Sequence, residues 1–392
     1  MTESLFMPLT RDGLDPVAEL ARRRAEEPVS RLDLFGNTVW LVTRAADVRA
    51  VLTDTATFSN DFANLLAGGD AEELGLVDPG GLGFRDPPEH TRLRRMLAPA
   101  FSARRLAELQ PRIEAVVEGR LDALEAAGSP ADLVQLFATV VPAMVIGEML
   151  GVPADEQEEL GRLAEGRFDL LESVLAPLDS AAASLDRLSG YVARERLAPG
   201  EGLLGRLVRE HGDDVSDREL AGLADGLLVG GHETTASMLA LGAVVLLTDP
   251  DRAAQVRSGQ ADADRVVEEL LRYLTVVQVA FPRWAREGTV IGGQPVAAGD
   301  LVLCSLSAAD RDAALGPDLE QVDLHRAPTP HLAFGHGMHH CLGAQLARME
   351  LRTAFPALLR RFPGLRLAVD PAELRFRERS LVFAVQDLPV AW

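Results

Sequence analysis

One segment, residues 217–247, constrains the fold of this chain more than any other, because its apolar periodicity predicts a single long helix. Ser216 and Glu219 have the spacing of a capping box at its start, and Asp249 and Pro250 form a stop signal at its end. At ~1.5 Å per residue the helix would be on the order of 45 Å long, enough to cross a whole globular domain. Its strongly apolar flanks predict that it is buried.

The centre of this predicted helix has an unusual composition. Gly230 and Gly231 are adjacent there, and two glycines inside a helix cost roughly 1 kcal/mol each relative to alanine. His232, Glu233 and two hydroxyl residues follow them. Two interpretations remain open: a thin point that serves a function, or a notch where a neighbouring helix packs closely. A zinc-protease motif is excluded, because the position of its second histidine is Ala236.

The rest of the chain predicts further helices, with short strands clustered near the two ends. Gly36 and Asn37 indicate a hairpin turn between the first two strands. Helices are predicted over residues 16–26, 46–52, 88–98, 103–125, 130–150, 154–175, 178–196 and 342–361, the last bent or interrupted at Pro356. Strands are predicted over residues 31–35, 38–43, 290–291, 301–304, 365–369 and 381–385. The pattern indicates a mainly α fold with small β-sheets, and the length alone suggests two or three domains.

Composition places the chain among globular proteins and excludes several classes of function. Its 392 residues are 47% apolar and carry a formal net charge of −20, which excludes disorder and opposes binding to nucleic acid or anionic membranes. The two cysteines, Cys304 and Cys341, are too few for a zinc ribbon or an iron–sulfur cluster. The first residues lack a signal-peptide pattern, and the longest apolar run, 238–247, is too short to span a membrane, so we expect a cytoplasmic protein.

Cys341 lies between glycines and immediately before a predicted helix. A helix N-terminus stabilises a thiolate, and the glycines allow a flat cofactor or the backbone to approach the sulfur closely. The residues alone leave four interpretations open: a buried inert cysteine, a zinc or iron site shared with His336, His339 and His340, a nucleophile with a histidine base, or an axial thiolate ligand of haem. A regular helix could not direct His339, His340 and Cys341 at one ion.

The segment around Cys341 resembles the cysteine-ligand loop of the cytochrome P-450 superfamily, Phe-Gly-x-Gly-x-His-x-Cys-x-Gly. Every defined position is filled, by Phe334, Gly335, Gly337, His339, Cys341 and Gly343. Other motifs of the family match in order along nearly the whole chain: 230–234 is similar to the oxygen-activation motif, 269–272 to the Glu-x-x-Arg pair, 86–94 to the start of the C helix, 282–283 to the haem-propionate arginine and 388–390 to the C-terminal ending. Asp310 differs from the asparagine that bacterial relatives often have at that point.

The resemblance implies the cytochrome P-450 fold, in which a long central helix lies over a buried haem and residues 1–392 form one domain. Cys341 would be the ligand of the iron of haem b, and Glu233 and Thr234 would be the catalytic residues that deliver protons to O2. The remaining cofactor-binding residues would be His90, Arg94, Arg283, Phe334, Gly335, His339 and Gly343. Glu269 and Arg272 would form a structural pair.

The implied reaction is the insertion of one oxygen atom into a bulky hydrophobic natural product such as a polyketide or macrolide, by hydroxylation or epoxidation. Substrate contacts are expected from apolar residues, namely Leu65, Leu66, Val277, Val279 and Leu381. The alternatives are a haem-binding sensor or carrier without monooxygenase activity, and a cysteine- or zinc-dependent hydrolase.

Electrons would come ultimately from NAD(P)H through a ferredoxin or flavodoxin with its reductase, because the sequence lacks iron–sulfur cysteines and a dinucleotide glycine fingerprint. A basic docking surface for this carrier is predicted, although a solvated helix face explains the same residues: Arg92, Arg95, Arg104 and Arg105. We expect the protein to be a monomer.

Overall fold

Helices dominate the part of the chain that the structure describes. The computed structural model describes residues 6–34, 37–61, 81–169 and 176–392. The helices are α1 (Ala18–Glu26), α2 (Ala45–Thr53), α3 (Glu89–Leu97), α4 (Ala103–Ala127), α5 (Val140–Leu150), α6 (Gln157–Arg162), α7 (Ala176–Leu197), α8 (Leu203–His211), α9 (Asp217–Leu247), α10 (Pro250–Ser258), α11 (Ala263–Leu274), α12 (Leu306–Ala309) and α13 (Ala344–Arg361). The strands are β1 (Arg11–Asp12), β2 (Asp15–Pro16), β3 (Val29–Leu34), β4 (Asn37–Val42), β5 (Phe58–Ser59), β6 (Ala131–Asp132), β7 (Arg283–Ala285), β8 (Thr289–Ile291), β9 (Gln294–Val296), β10 (Leu301–Cys304), β11 (Arg366–Leu367) and β12 (Pro389–Ala391).

The predicted long helix is α9, and it has the predicted bounds. Its capping box is formed: the Glu219 N–H donates to Ser216 Oγ at 3.2 Å, and the Ser216 N–H donates to Glu219 Oε2 at 2.8 Å. The helix packs against α5, α7 and α13. At Gly242 any Cβ would overlap the ring of Phe355 on α13, so the glycine allows the two helices to touch. The helical layers are therefore assembled around α9, as the sequence predicted.

Within the described ranges, no helix is both long enough and apolar enough to cross a membrane.

The largest sheet joins the N-terminal hairpin to strands that occur much later in the chain. Its order is β3-β4-β10-β7-β5, with β10 parallel to β4 and the other neighbours antiparallel. Cys304 ends β10 opposite Val42, and burial raises the pKa of its thiol to about 12. This cysteine is therefore an inert core residue. The smaller sheets have the orders β1-β2, β8-β9 and β11-β12-β6.

The helix predicted over residues 130–150 is wrong at its start, residues 130–132. There β6 pairs with β12, a π-helical turn (Val134–Ala138) follows, and α5 begins only at Val140. The Asp132 carboxylate explains the difference, because its Oδ1 accepts the N–H groups of Val134 at 2.9 Å and Leu388 at 3.0 Å. Contacts with the C-terminal segment thus replace only the first residues of the predicted helix, and helical structure follows from residue 133.

Three smaller predictions also differ from the structure. The helix predicted over 154–175 begins at residue 154 with a 3-10 turn (Ala154–Glu156) and continues as α6. Only turns follow up to residue 168, and residues 170–175 lie outside the described ranges. Residues 381–385 form isolated bridges at Val382 and Val385 rather than a strand. Helix α13 continues through Pro356, so the predicted interruption is absent there, and a bend at that residue stays a prediction. The predicted hairpin pairs Leu34 with Asn37, and Gly36 lies outside the described residues.

Candidate active site

The loop before α13 holds Cys341 through backbone geometry that requires glycine. Gly335 and Gly337 have φ angles of 68° and 69°, in the left-handed region. A Cβ at Gly337 would also overlap the carbonyl group of Leu52. The Cys341 N–H donates to the carbonyl oxygen of Phe334 at 2.9 Å, which closes the loop. Two glycines of the predicted motif are thus required by backbone conformation and close packing.

The sulfur of Cys341 lies just before α13 rather than within it, because the helix begins at Ala344. Burial raises the pKa of the Cys341 thiol, while the backbone N–H of Gly343 and the charges of Arg94 and Arg348 lower it. Burial outweighs these groups, so the pKa of the thiol is raised on balance. The Gly343 N–H and the two arginines would stabilise the thiolate once a metal ion takes the place of the proton.

The four predicted propionate partners lie close together beside the cysteine loop. The rings of His90 on α3 and His339 have their centroids 4.3 Å apart. Arg94, one turn after His90, donates from Nη2 to the carbonyl oxygen of His340 at 2.7 Å. Arg283 on β7 donates to the carbonyl oxygen of Phe281 at 2.8 Å and to Asn60, and it is near enough to depress the pKa of His339.

This cluster contains hydrogen-bonding groups that no described residue satisfies. Both ring nitrogens of His90 and Nε2 of His339 are buried without a partner among the described residues. Burial is the largest cause that lowers the pKa of His339, to about 3, and the positive charge of Arg283 adds to it. The adjacent acid, Asp86, is already bonded to Ser59 Oγ at 2.5 Å and to Arg286. An additional anion with carboxylate groups would satisfy these donors, so the residues fit the two propionates of a haem.

Helix α9 is open to solvent on one face at its centre, although most of it is buried. Gly226 and Gly230 are exposed and Thr234 is half-buried, at a spacing of four residues that places them on one face. A Cβ at Gly230 would meet no described atom within 4 Å, whereas one at Gly231 would lie 3.0 Å from the Ile146 side chain on α5. Gly231 is therefore the packing notch, and Gly230 leaves space on the open face. Both interpretations of the glycine pair apply, each to one residue.

The hydroxyl of Thr234 lies on this open face, and its Oγ1 donates to the carbonyl oxygen of Gly230 at 2.6 Å. Glu233 lies on a different side of the helix, about 100° away, and is 3% exposed. Its Oε1 is paired with Arg377, and its Oε2 is buried without a partner in the described part of the chain. Burial, with help from the charge of Asp169, raises the pKa of Glu233 to about 7, although Arg377 opposes this shift.

A small cavity of about 20 Å³ adjoins the Glu233 carboxylate, and its lining includes Thr139, Glu165, His232 and Arg377. This volume is enough for one water molecule. Glu165 also lines this cavity, and burial raises the pKa of its carboxyl group. A carboxyl group poised near neutral pH beside a water-sized cavity is able to exchange protons.

Sequence reasoning missed Arg377, which pairs with Glu233 and also lies 3.8 Å from Asp169. Arg377 is in an irregular segment 144 residues after Glu233, and no motif marks it. The structure alone brings the two residues together.

The predicted structural pair is a buried ion pair. Arg272 Nε and Nη2 lie 2.8 Å from the two carboxylate oxygens of Glu269. The same guanidinium donates to the carbonyl oxygens of Leu319 and Gln321, and Arg326 donates to Glu269. The pair therefore connects α11 to the irregular segment that precedes the cysteine loop.

The predicted substrate residues lie in paired segments near one another, where the structure describes them. Val277 bridges Val382, and the Gln278 N–H donates to the carbonyl oxygen of Leu381 at 3.0 Å. Val277 and Leu381 are half-buried, whereas Val279 is 5% exposed. The other two predicted residues lie outside the described ranges: Leu65 and Leu66.

The predicted basic surface is largely neutralised by acidic neighbours. Arg92 pairs with Glu219, and Arg104 and Arg105 both pair with Glu108. Arg95 is exposed and has no partner in the part of the chain that the structure describes. The solvated-face interpretation thus fits most of these arginines.

The family model, the sequence relatives and the solved structures that match this chain agree with one another. The family model described as Cytochrome P450 matches residues 263–382. Cytochrome P450 165B3 of Amycolatopsis orientalis is 43% identical, and the match covers 98% of each chain. The mycinamicin IV hydroxylase/epoxidase of Micromonospora griseorubida is 39% identical, over 97% of this chain and 96% of its own. The crystal structure of OxyC, a cytochrome P450 implicated in an oxidative C–C coupling reaction during vancomycin biosynthesis, superposes with a TM-score of 0.87 at 40% identity, covering 97% of this chain and 96% of that one.

Proposed function

The chain belongs to the cytochrome P450 family and is a monooxygenase, and from this we propose that it inserts one oxygen atom of O2 into a bulky hydrophobic secondary metabolite of polyketide or macrolide type, by hydroxylation or epoxidation. The observation that carries the proposal is the coincidence of three features: a glycine-held Cys341, unsatisfied donors at His90 and His339, and the open face of α9 at Gly230. A hydrolase or an inert cysteine requires neither the unsatisfied donors at His90 and His339 nor the open face of α9.

Cys341 would hold the iron of haem b, and the bound haem would supply the activation of O2. The loop fixes the sulfur through the Cys341 N–H bond to the Phe334 carbonyl, and Gly343 leaves room beside the sulfur, since a Cβ there would lie 3.9 Å from Cys341 Sγ. His90, Arg94, Arg283 and His339 would bind the two propionates through charge-assisted or neutral hydrogen bonds.

Thr234 would donate its hydroxyl proton towards the O2-binding space, since it lies on the open face of α9. Glu233 would restore that proton through intervening water, and the water-sized cavity beside its carboxyl group would serve to reprotonate Glu233 itself. Arg377 holds one carboxylate oxygen and leaves Oε2 free to carry a proton, and the pKa of about 7 allows both protonation states.

A ferredoxin or flavodoxin with its reductase would deliver the electrons of NAD(P)H. Arg95 is the described candidate for contact with an acidic carrier, because it is exposed and unpaired among the described residues. We further propose that residues 1–392 act as one domain, which is supported by the packing of α9 against helices from both halves of the chain. We propose in addition that the protein is a monomer.

The visible spectrum of the reduced protein with carbon monoxide tests the site. A Soret position typical of a thiolate ligand is expected, and Cys341→Ser should abolish it. An imidazole-type position would contradict the role of Cys341, and a protein that binds no haem would refute the whole assignment. Spin-state titrations with macrolides, polyketides and peptide antibiotics then test the substrate class, and a shift confined to peptides would overturn that part of the proposal.

A further inference from the structure

A second carboxylate, that of Glu268 on α11, contacts residues on both sides of the cysteine loop. Its two oxygens accept from Arg348 of α13, with Nε to Oε1 at 2.5 Å and Nη2 to Oε2 at 2.9 Å. Oε2 also lies 3.1 Å from Nε2 of His331, at the start of the loop. We call Glu268, His331, Phe334 and Arg348 the Glu268 cluster. It connects two helices with the segment that leads to Cys341.

His331 acts in this cluster as a neutral donor. Its Nδ1 accepts the N–H of Ala333 at 3.2 Å, so the ring proton must be on Nε2, which faces Glu268. The cluster therefore has one positive and one negative charge. Burial alone would raise the pKa of Glu268, but bonds from Arg348 and His331 outweigh it and lower that pKa to about 2.

Glu268 determines where the positive charge of Arg348 lies. The guanidinium is 4.5 Å from the centroid of the Phe334 ring, in a cation–π contact. Its remaining bond, from Nη1 to the carbonyl oxygen of Ala344 at 3.4 Å, is long. The Glu268 fork is thus the contact that keeps the planar guanidinium against the ring rather than in solvent.

Phe334 links this charge to the sulfur, because its carbonyl oxygen accepts the Cys341 N–H at 2.9 Å. Arg348 also favours the Cys341 thiolate through space. We propose that Glu268 is a positioning residue, which holds Arg348 against Phe334 and partly neutralises it, and so sets the reduction potential of the haem iron bound by Cys341. This inference rests on the proposed role of Cys341 as the iron ligand.

The sign of the effect follows from electrostatics. Reduction of the iron adds one negative charge to the site, so an uncompensated positive charge nearby favours the reduced state. Removing the charge of Glu268 should therefore raise the potential, and removing that of Arg348 should lower it.

The test is a spectroscopic redox titration of the haem-loaded protein. Glu268→Gln is expected to shift the midpoint potential to more positive values, and Arg348→Gln to more negative values. The double variant should return towards the wild-type potential. Arg348→Lys keeps the charge but lacks the planar fork, so it is expected to shift the potential in the same direction as Arg348→Gln, by less.

A matched control connects the same two helices one turn farther from Cys341. Asp264 on α11 pairs with Arg352 on α13, and Asp264→Asn should leave the potential unchanged. An equal shift in Asp264→Asn and Glu268→Gln, or no shift in the Glu268 and Arg348 variants, would overturn the proposal. If Glu268→Gln does not bind haem, Glu268→Asp keeps the charge but shortens the reach, and an unchanged potential in it refutes the positioning role.

The wild-type spectrum with carbon monoxide separates the two hypotheses. A thiolate-type spectrum together with unmoved potentials contradicts only the role of Glu268. An imidazole-type spectrum contradicts the assignment of Cys341 and this inference with it.

Discussion

Asp310 should destabilise the folded protein at neutral and alkaline pH, and Asp310→Asn should remove that cost. The side chain is fully buried. Its Oδ1 accepts the Leu332 N–H at 2.6 Å, and its Oδ2 lies 2.9 Å from Thr275 Oγ1. Thr275 Oγ1 is also 2.7 Å from the carbonyl oxygen of Arg272. With Asp310 ionised, two acceptors compete for a single hydroxyl proton.

An asparagine resolves this competition. Its Nδ2 would donate to Thr275 Oγ1, the hydroxyl would then donate to the Arg272 carbonyl, and Oδ1 would keep the Leu332 N–H. Burial raises the pKa of Asp310 from 3.8 to about 6, although the Leu332 N–H, Thr275 and nearby positive charges oppose the shift. The folded state therefore binds the proton more tightly than the unfolded state, and stability is lost as pH rises from the unfolded to the folded pKa.

The size of the effect follows from these two pKa values. The stabilisation by Asp310→Asn is expected to be about 1.5 kcal/mol near pH 5 and about 3 kcal/mol near pH 8. With a urea m-value of about 3 kcal/mol/M, the unfolding midpoint should rise by about 1 M at the higher pH.

Urea unfolding at both pH values, followed by circular dichroism, measures this difference. Asp370→Asn is the control, because Asp370 caps a short turn with an exposed carboxylate that accepts the Ala372 N–H. It should give the same small change at both pH values. If Asp310→Asn does not raise the free energy of unfolding, or raises it equally at the two pH values, burial of an ionised carboxylate does not destabilise the fold as we argue.

Three further predictions concern the central helices. Thr234→Ala should keep haem and substrate binding but divert electrons to hydrogen peroxide, measured as peroxide formed per NAD(P)H consumed with a ferredoxin and reductase; full coupling to product would contradict the role of the hydroxyl. Glu350 is buried, its Oε2 has no described partner, and burial raises its pKa to about 8. Glu350→Gln should therefore stabilise the fold by an amount that grows by about 2.7 kcal/mol between pH 6 and pH 9 in urea unfolding, and a gain that shrinks with pH would argue against it. Gly242→Ala should destabilise the fold by about 1–3 kcal/mol because the methyl group would overlap Phe355, whereas Gly190→Ala on α7, with no described atom within 4 Å, should stabilise it by up to about 1 kcal/mol; similar effects of the two changes would show that packing is not the cause.

The central helix shows what a sequence predicts well. Its bounds, Asp217–Leu247, and its capping box follow from apolar periodicity and from side chains three residues apart, which are local properties. The start of the helix predicted over 130–150 was wrong, because Asp132 lies in β6 and bonds to the backbone of Leu388, a partner that no local pattern contains.

The residues of the site likewise fall into those that the local sequence predicts and those that it does not. The loop around Cys341 could be predicted, because left-handed φ angles at Gly335 and Gly337 impose glycine and leave a short contiguous motif. Arg377 and Glu268 could not be predicted, because surface and buried ion pairs of the same residue types occur throughout the chain and their spacing carries no signal.

The sequence by itself therefore determined the central helix, the cysteine loop and the family, since each depends on residues that are close together in the chain. Only the tertiary structure decided which of two adjacent glycines faces open space, which arginine holds Glu233, and which carboxylate holds Arg348 against Phe334. The physical reason is that charge positions, burial and pKa values depend on neighbours that folding brings together from distant segments, as Glu233 and Arg377 show at a separation of 144 residues.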